Sequence, residues 1–391
     1  MNDTCEVAIV GGGPVGLLLG CLLARRGIDT RIYEQHLALR EHSRAVGIHP
    51  PGLTALELVG AAAPLVARGV RVREAFAFGD ERALGHLRFD SLPGPYPFVL
   101  TVPQSDTERA IELQLRKLSD RVLLRGRRVV ACERTGEGAL LRVSDLSGAG
   151  EQEVRARFVV GCDGKQSVVR EAAKIAYHGK PYAQNFVMAD MADETQFGSA
   201  AAVFLTRSGL VESFPLPGGV RRWVVGLGAK KEEASAALVE KLVTERTGQL
   251  ARTSTASMQS AFTAEHFLAD RFVEGPFVLA GDAAHVISPI GGQGMNLGWL
   301  DATLLSEVLT RILTDRKLKP KAARGLLSHY GNERRRAARS ARRRAELFMA
   351  IGQTERLRAL RDLSVQALLS PKLAARAADL FAMRGLSSAP L

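Results

Sequence analysis

Apolar residues in this chain fall into three patterns: short unbroken runs, alternating runs, and runs at helical spacing. Residues 7–10, VAIV, form a four-residue apolar block, as in a strand buried on both faces. Helical spacing then runs from the glycine turn to Gly27, which ends that helix, and Thr30 to Tyr33 predicts a second strand. Pro50, Pro51 and Gly52 break the chain ahead of an amphipathic helix. Residues 70–99 read as strands closing on the proline-rich crossing SLPGPYPFVLTVPQ. A helix is predicted over 107–118, with Ile111, Leu115 and Leu118 on one face, and 121–146 alternate like a β-meander. ARFVVGCDGKQSVVREAAK repeats the strand, turn, helix order. Residues 180–228 predict antiparallel strands, broken by Pro215, Pro217 and the Gly218–Gly219 turn. A charged helix is expected over 230–247, a buried strand in GPFVLAGDAA, and helices from Gly294 onward.

Strand–helix units therefore occur at the start, in the middle and near residue 280, with a β-rich insert between them. This order predicts an α/β nucleotide-binding domain interrupted by an antiparallel β-sheet substrate domain, with C-terminal helices. The expected division gives 1–75, 101–178 and 271–340 to the nucleotide-binding domain. It gives 76–100 and 179–270 to the substrate domain, and 341–391 to the C-terminal helical region.

Composition narrows the class. The chain has 391 residues, 46% of them hydrophobic and 24% charged, which is globular usage. The longest apolar run, residues 15–24, is too short to span a bilayer. The N-terminus has no basic segment of the secretory kind. Four cysteines show no CxxC pair and no metal spacing, so reduced thiols in a cytoplasmic chain are expected. The net charge of +12 is uneven: ERRRAARSARRR, residues 333–344, holds seven arginines on a helical pattern. No recognised nucleic-acid module accompanies them, so nucleic acid is not an expected partner. A solvated helix face is expected there, with contact to anionic lipid or a partner subunit as the alternatives. A vesicle-sedimentation assay separates the lipid reading.

Two glycine turns carry the candidate chemistry. Gly11, Gly13 and Gly16 satisfy GxGxxG between a strand and a helix, with Pro14 and Val15 opening the helix. Such a turn lets backbone approach a pyrophosphate and offers it free helix N–H groups. Glu34 and Gln35 follow at the end of the next strand, where a carboxylate can accept from ribose hydroxyls. This stretch points to a dinucleotide and leaves NAD and FAD open. The second turn is GDAAHVISPIGGQGMNLGWLDA, residues 281–302.

With CDGKQSVVR at 162–170, these motifs together resemble the single-component FAD-dependent aromatic hydroxylases, the group A flavoprotein monooxygenases of the para-hydroxybenzoate hydroxylase type. SRAVGIHPPGLTALE and PQSDTERAIELQL resemble further family segments, and the likeness covers about residues 5–345. It implies a Rossmann-like FAD domain of the glutathione-reductase type. The second turn would then hold the ribityl chain and ring. Gly281 and Asp282 would meet the ribityl group, and Pro289 would line the reaction face. Gly291, Gly292, Gly294 and Met295 would lie at the ring edge, and Asn296 would contact it. The resemblance also assigns Arg44 to the phosphate or ribose side, Gln104 to FAD, Val129 to the adenine side and Asp163 to the path between FAD and nicotinamide. Arg170 would support its loop, and His285 is expected to be structural.

The reaction so implied consumes NAD(P)H as a transient cosubstrate and inserts one oxygen atom of O2 into an aromatic small molecule through a flavin C4a-hydroperoxide. No protein catalytic residue is evident. Tyr182, Met188, Phe204, Phe214 and Pro215, from the insert, are the candidate substrate contacts. Pro51 departs from the family, which has arginine there. The alternatives are a membrane-associated hydroxylase of the ubiquinone-pathway type, and a flavoprotein reductase or FAD-binding protein without oxygenase activity. Either a monomer or a homodimer is compatible with the sequence.

Overall fold

The computed structural model describes residues 3–39, 45–80, 82–146, 148, 150–353 and 358–386. Within them lie two eight-stranded sheets and one of three strands. The first is built on Asp3–Val10, which pairs in parallel with Gly150–Gly161 on one side and Thr30–Glu34 on the other. Phe277–Leu279 and Leu123–Arg125 extend it in parallel beyond these two. The meander strands Arg127–Arg134 and Ala139–Asp145 attach antiparallel to the first half of Gly150–Gly161. Val7, Ala8 and Ile9 are wholly buried, which accounts for the unbroken apolar run. The helix Pro14–Arg25 packs against both Gln104–Leu118 and Gln293–Thr314, so the first and last nucleotide-binding segments share one core.

The second sheet is antiparallel except where Ala201–Thr206 runs parallel to Glu74–Phe78. Its strands alternate with period two and bury both faces. One face (Val187, Ala189, Ala202, Phe204, Val211, Trp223, Val225) packs under the helix Ala236–Thr247. The other (Phe186, Met188, Leu205, Leu210, Val224) meets Phe348, Met349 and Val365 from the C-terminal helices. The fold is the expected one: an α/β domain of the nucleotide-binding kind, an antiparallel sheet domain and C-terminal helices. A small sheet of Gly47–Ile48, Val99–Thr101 and Val70–Val72 lies between.

Several local expectations shift. The two prolines do not precede their helix but begin it: Pro50–Glu57 starts at Pro50, where a missing N–H costs no hydrogen bond. The charged helix begins at Ala236 rather than 230, because the Ser235 hydroxyl accepts from the Leu238 N–H and fixes the start there. In Gln104–Leu118, Ile111 and Leu115 are buried but Leu118 is 45% exposed at the last turn. The arginine run lies on the helix Pro320–Gln353, yet not on a solvated face throughout. Tyr330, Arg334, Ala338, Ala341 and Ala345 form a buried stripe at three- and four-residue spacing. No helix of the described residues is long and apolar enough to cross a membrane.

Candidate cofactor and substrate cavity

One cavity of about 1060 Å³ joins the two glycine turns to the inner face of the second sheet. At its first end, Gly11 sits at φ +101°, a conformation that favours glycine, and a Cβ there would collide with the Cys162 carbonyl. Gly16 does not reach the cavity wall: its missing Cβ makes room for the Gly11 carbonyl, and it serves packing. Gly11, Gly13, Pro14 and Val15 do line the wall. The helix Pro14–Arg25 has no side-chain cap at Gly13, which leaves its first N–H groups available to an anion. Glu34 and Gln35 line the same end. The Glu34 carboxylate accepts from Gly12 N (2.7 Å) and His36 N (2.8 Å), which fix it while leaving lone pairs for a ligand hydroxyl. Gln104, Val129 and Asp163 also face the cavity.

Asp163 is held by its loop. Its Oδ2 accepts from Val169 N, while Oδ1 is buried without a protein partner. Burial pushes its carboxyl up to about 6, with hydrogen bonds from Ser167 and the loop backbone partly offsetting this. Arg170 clamps the loop to the second turn, donating to the carbonyls of Lys165 (2.8 Å) and Ala283 (3.1 Å) and lying over the Tyr177 ring.

At the second turn, Gly281, Asp282, Pro289, Gly291, Gly292, Gly294 and Met295 line the wall. Asp282 opens into the cavity, and the protein around its carboxyl raises the pKa by desolvation. Gly292 caps the helix Gln293–Thr314 at φ +64°, with no side chain on the helix N–H groups. Asn296 departs from its expected place, since its amide is used within the protein. Oδ1 accepts from His49 N (2.9 Å), and Nδ2 donates to the carbonyls of Gly47 (3.0 Å) and Gly292 (2.9 Å). Asn296 is wholly buried and does not line the cavity. His49 completes the stitch through Gly291 O, and burial takes its imidazole down to about 4.

His285 is wholly buried, with Nε2 2.6 Å from Asp301. Asp301 also accepts from Arg334 Nε (2.6 Å) and Gly281 N (3.0 Å), which ties the arginine run to the second turn. Spacing gave no signal for this network, because Asp301 and Arg334 lie on separate helices. Arg44 lies outside the described residues.

On the sheet face, Met188 and Phe214 line the cavity, but Tyr182, Phe204 and Pro215 do not. Register explains two of these. Phe204 and Pro215 sit one residue out of phase with the inward Val203 and Phe214. Phe204 accordingly packs on Phe78 under the other face, and the Pro215 carbonyl accepts from Thr101 Oγ1. Tyr182 lies within the irregularity between Pro181 and Asn185. It donates to Glu346 Oε1 (2.9 Å) and packs on His266. The inward face instead presents Ala201, Val203, Glu212, Phe214, Arg222 and Val224.

The residues at both turns fit an extended dinucleotide: glycine where a side chain would fill the cradle, uncapped helix N–H groups, and an orphaned Asp163 oxygen between the two ends. A family described as "FAD binding domain" matches residues 4–345. The chain belongs to this family of FAD-dependent aromatic monooxygenases. It is 32% identical to pentachlorophenol 4-monooxygenase of Sphingobium chlorophenolicum, over 76% of this chain and 56% of that one. It is 30% identical to 12-dehydrotetracycline 5-monooxygenase/anhydrotetracycline 6-monooxygenase of Streptomyces rimosus, over 94% of this chain and 74% of that one. The chain thus spans little more than half of the first enzyme. The crystal structure of p-nitrophenol 4-monooxygenase from Pseudomonas putida DLL-E4 shares the fold over the full length of both chains, with a TM-score of 0.88 at 23% identity. The cofactor of this flavoprotein family is FAD, with NAD(P)H as cosubstrate.

Proposed function

We propose that this monooxygenase inserts one oxygen atom into a phenol-like or polycyclic aromatic ring held against the Met188–Phe214 face of the second sheet. The observation that carries the reading is the continuity of the cavity: the dinucleotide cradle opens, without a wall between, onto a sheet face lined mainly by apolar side chains. FAD, when bound, supplies the redox chemistry, taking electrons from NAD(P)H and activating O2.

The chain's own residues supply position and environment. The turn at Gly11 and the start of Pro14–Arg25 would hold the pyrophosphate, and Glu34 the ribose hydroxyls. Asp163 and Asp282 would accept from the middle of the cofactor. The uncapped N–H groups after Gly292 place partial positive charge at the second turn, where they would stabilise negative charge on a bound flavin. Met188, Val203, Phe214, Val224 and Phe262 line the reaction chamber with apolar side chains. Pro289 stands where cradle and chamber meet. The enzymes in the comparison act on pentachlorophenol and tetracycline precursors, and their names support both ends of this substrate range.

The test is NAD(P)H oxidation by FAD-loaded protein across a panel of phenols and fused-ring phenols. At least one aromatic should accelerate oxidation by about tenfold or more, a barrier change of roughly 1.4 kcal/mol. A rate indifferent to every aromatic contradicts the reading.

A further inference from the structure

Glu212 is out of place in the apolar chamber. It lies on the strand Gly209–Leu216 and lines the cavity, yet it is only 9% exposed. Its cross-strand neighbours are Val203 and Val224, and Phe214 follows on the same face. Among the described residues no hydrogen bond or ion pair reaches its carboxyl. Burying an unpartnered carboxyl carries a free-energy penalty that folding alone gives no reason to retain. The cation nearest in register, Arg222, is held by Asp190 through two hydrogen bonds of 2.6 and 2.8 Å. The wall of the chamber therefore carries a buried carboxyl.

We propose that Glu212 selects the substrate by accepting a hydrogen bond from a ring hydroxyl or ring N–H, and that it excludes a ring carboxylate from that position. This rests on the aromatic reading above and refines it to neutral, donor-bearing rings such as phenols and N–H heteroaromatics. Discrimination follows from pairing: a donor satisfies the buried carboxylate, whereas a second carboxylate adds like charge in a dry site. Burial pushes the Glu212 carboxyl up to about 7, with no neighbouring charge contributing, so its ionisation falls in the working range of pH.

Few other groups could confuse that titration. Val203 and Val224 flank Glu212 on the adjoining strands, and Phe381, from the C-terminal helices, shares the cavity wall. Arg71, on the neighbouring strand Val70–Val72, lies over the Phe98 ring and does not line the cavity. Thr101 donates to Pro215. His49 is neutral through this range, since its imidazole is taken down to about 4. The other raised cavity carboxyls, Asp163 at about 6 and Asp282, lie at the cofactor turns, where Lys165 pairs with Glu265. All of these remain in a Glu212 variant.

The experiment measures dissociation constants of 2-naphthol and 2-naphthoate for FAD-loaded protein between pH 6 and 8, through the perturbation of flavin absorbance. Neither probe ionises in that window, phenols titrating near about 10 and carboxylates near about 4. Wild type should bind the naphthol at least about tenfold more tightly at pH 8, and naphthoate should gain affinity as pH falls and Glu212 protonates. In Glu212→Gln the naphthoate should bind better at pH 8, and its Glu212-dependent pH slope should disappear. Glu212→Met should also lose the preference for naphthol, and the FAD content of each variant reports folding. An unchanged naphthol-to-naphthoate ratio in both variants overturns the proposal while leaving the aromatic reading intact. Failure of both probes to bind wild type overturns the two together.

Discussion

Asp301 has no exposed surface, yet it accepts from three groups: Gly281 N, His285 and Arg334. Burial alone would raise its carboxyl, but His285 and Arg334 more than offset this and hold it below the usual carboxylate value. Asp301→Asn should cost about 3–5 kcal/mol, because it strands a buried guanidinium. The sign of the pH effect follows from the lowered value. The stabilisation is fully present above about pH 4, the unfolded value, and is lost as pH falls through the folded one. Thermal melts of the two proteins should therefore differ at neutral pH and converge as pH falls below about 4. At Gly11, an alanine adds backbone strain and a collision with Cys162 O. Gly11→Ala should weaken FAD binding by at least about tenfold, read as the ratio of flavin to protein absorbance, since moving that turn misplaces the phosphate site. The placement of motif residues such as Gly11, Glu34 and Asp282 on the cavity wall was legible in sequence because it is local to a turn. Glu212 and Asp301 were not, because their meaning depends on neighbours brought from other strands and helices.

Among elements, the helix Gln293–Thr314 does most to join the parts. Its Trp299 donates to Pro14 O, and its Asn296 stitches residues 47–49 to Gly292. Asn296→Ala leaves the His49 N–H and two carbonyls without that partner, at a cost of about 1–3 kcal/mol. It should lower the melting temperature and loosen FAD together. A variant that melts as wild type with unchanged FAD affinity would contradict this stitching role. The start of this helix, expected near Gly294, lies at Gln293. Sequence reading misjudged the phase of the substrate strands. Period two is visible in 201–216, but which half faces inward is set by the helix Ala236–Thr247 on one side and the C-terminal helices on the other. Phe204 and Pro215 are turned away from the cavity by that register.

At the scale of the molecule, three separate segments build one cradle and a second sheet closes its far end. Alternating strand–helix and strand-only stretches made this architecture legible. The destination of the arginine run was not legible. Arg334 goes inward to Asp301, Arg335 donates to Ala269 O and Arg344 to Arg384 O, so part of the charge excess serves packing between helices and the cradle. That use of charge is long-range and leaves no spacing signature. The central claim is that cofactor cradle and apolar chamber act as one oxygenating site. Its most direct test is turnover of an accepted phenol by the FAD-loaded enzyme with NAD(P)H under 18O2, with the product read by mass spectrometry. One 18O atom is expected in the product ring for each coupled turnover. NAD(P)H consumed with no label in any aromatic product would contradict it.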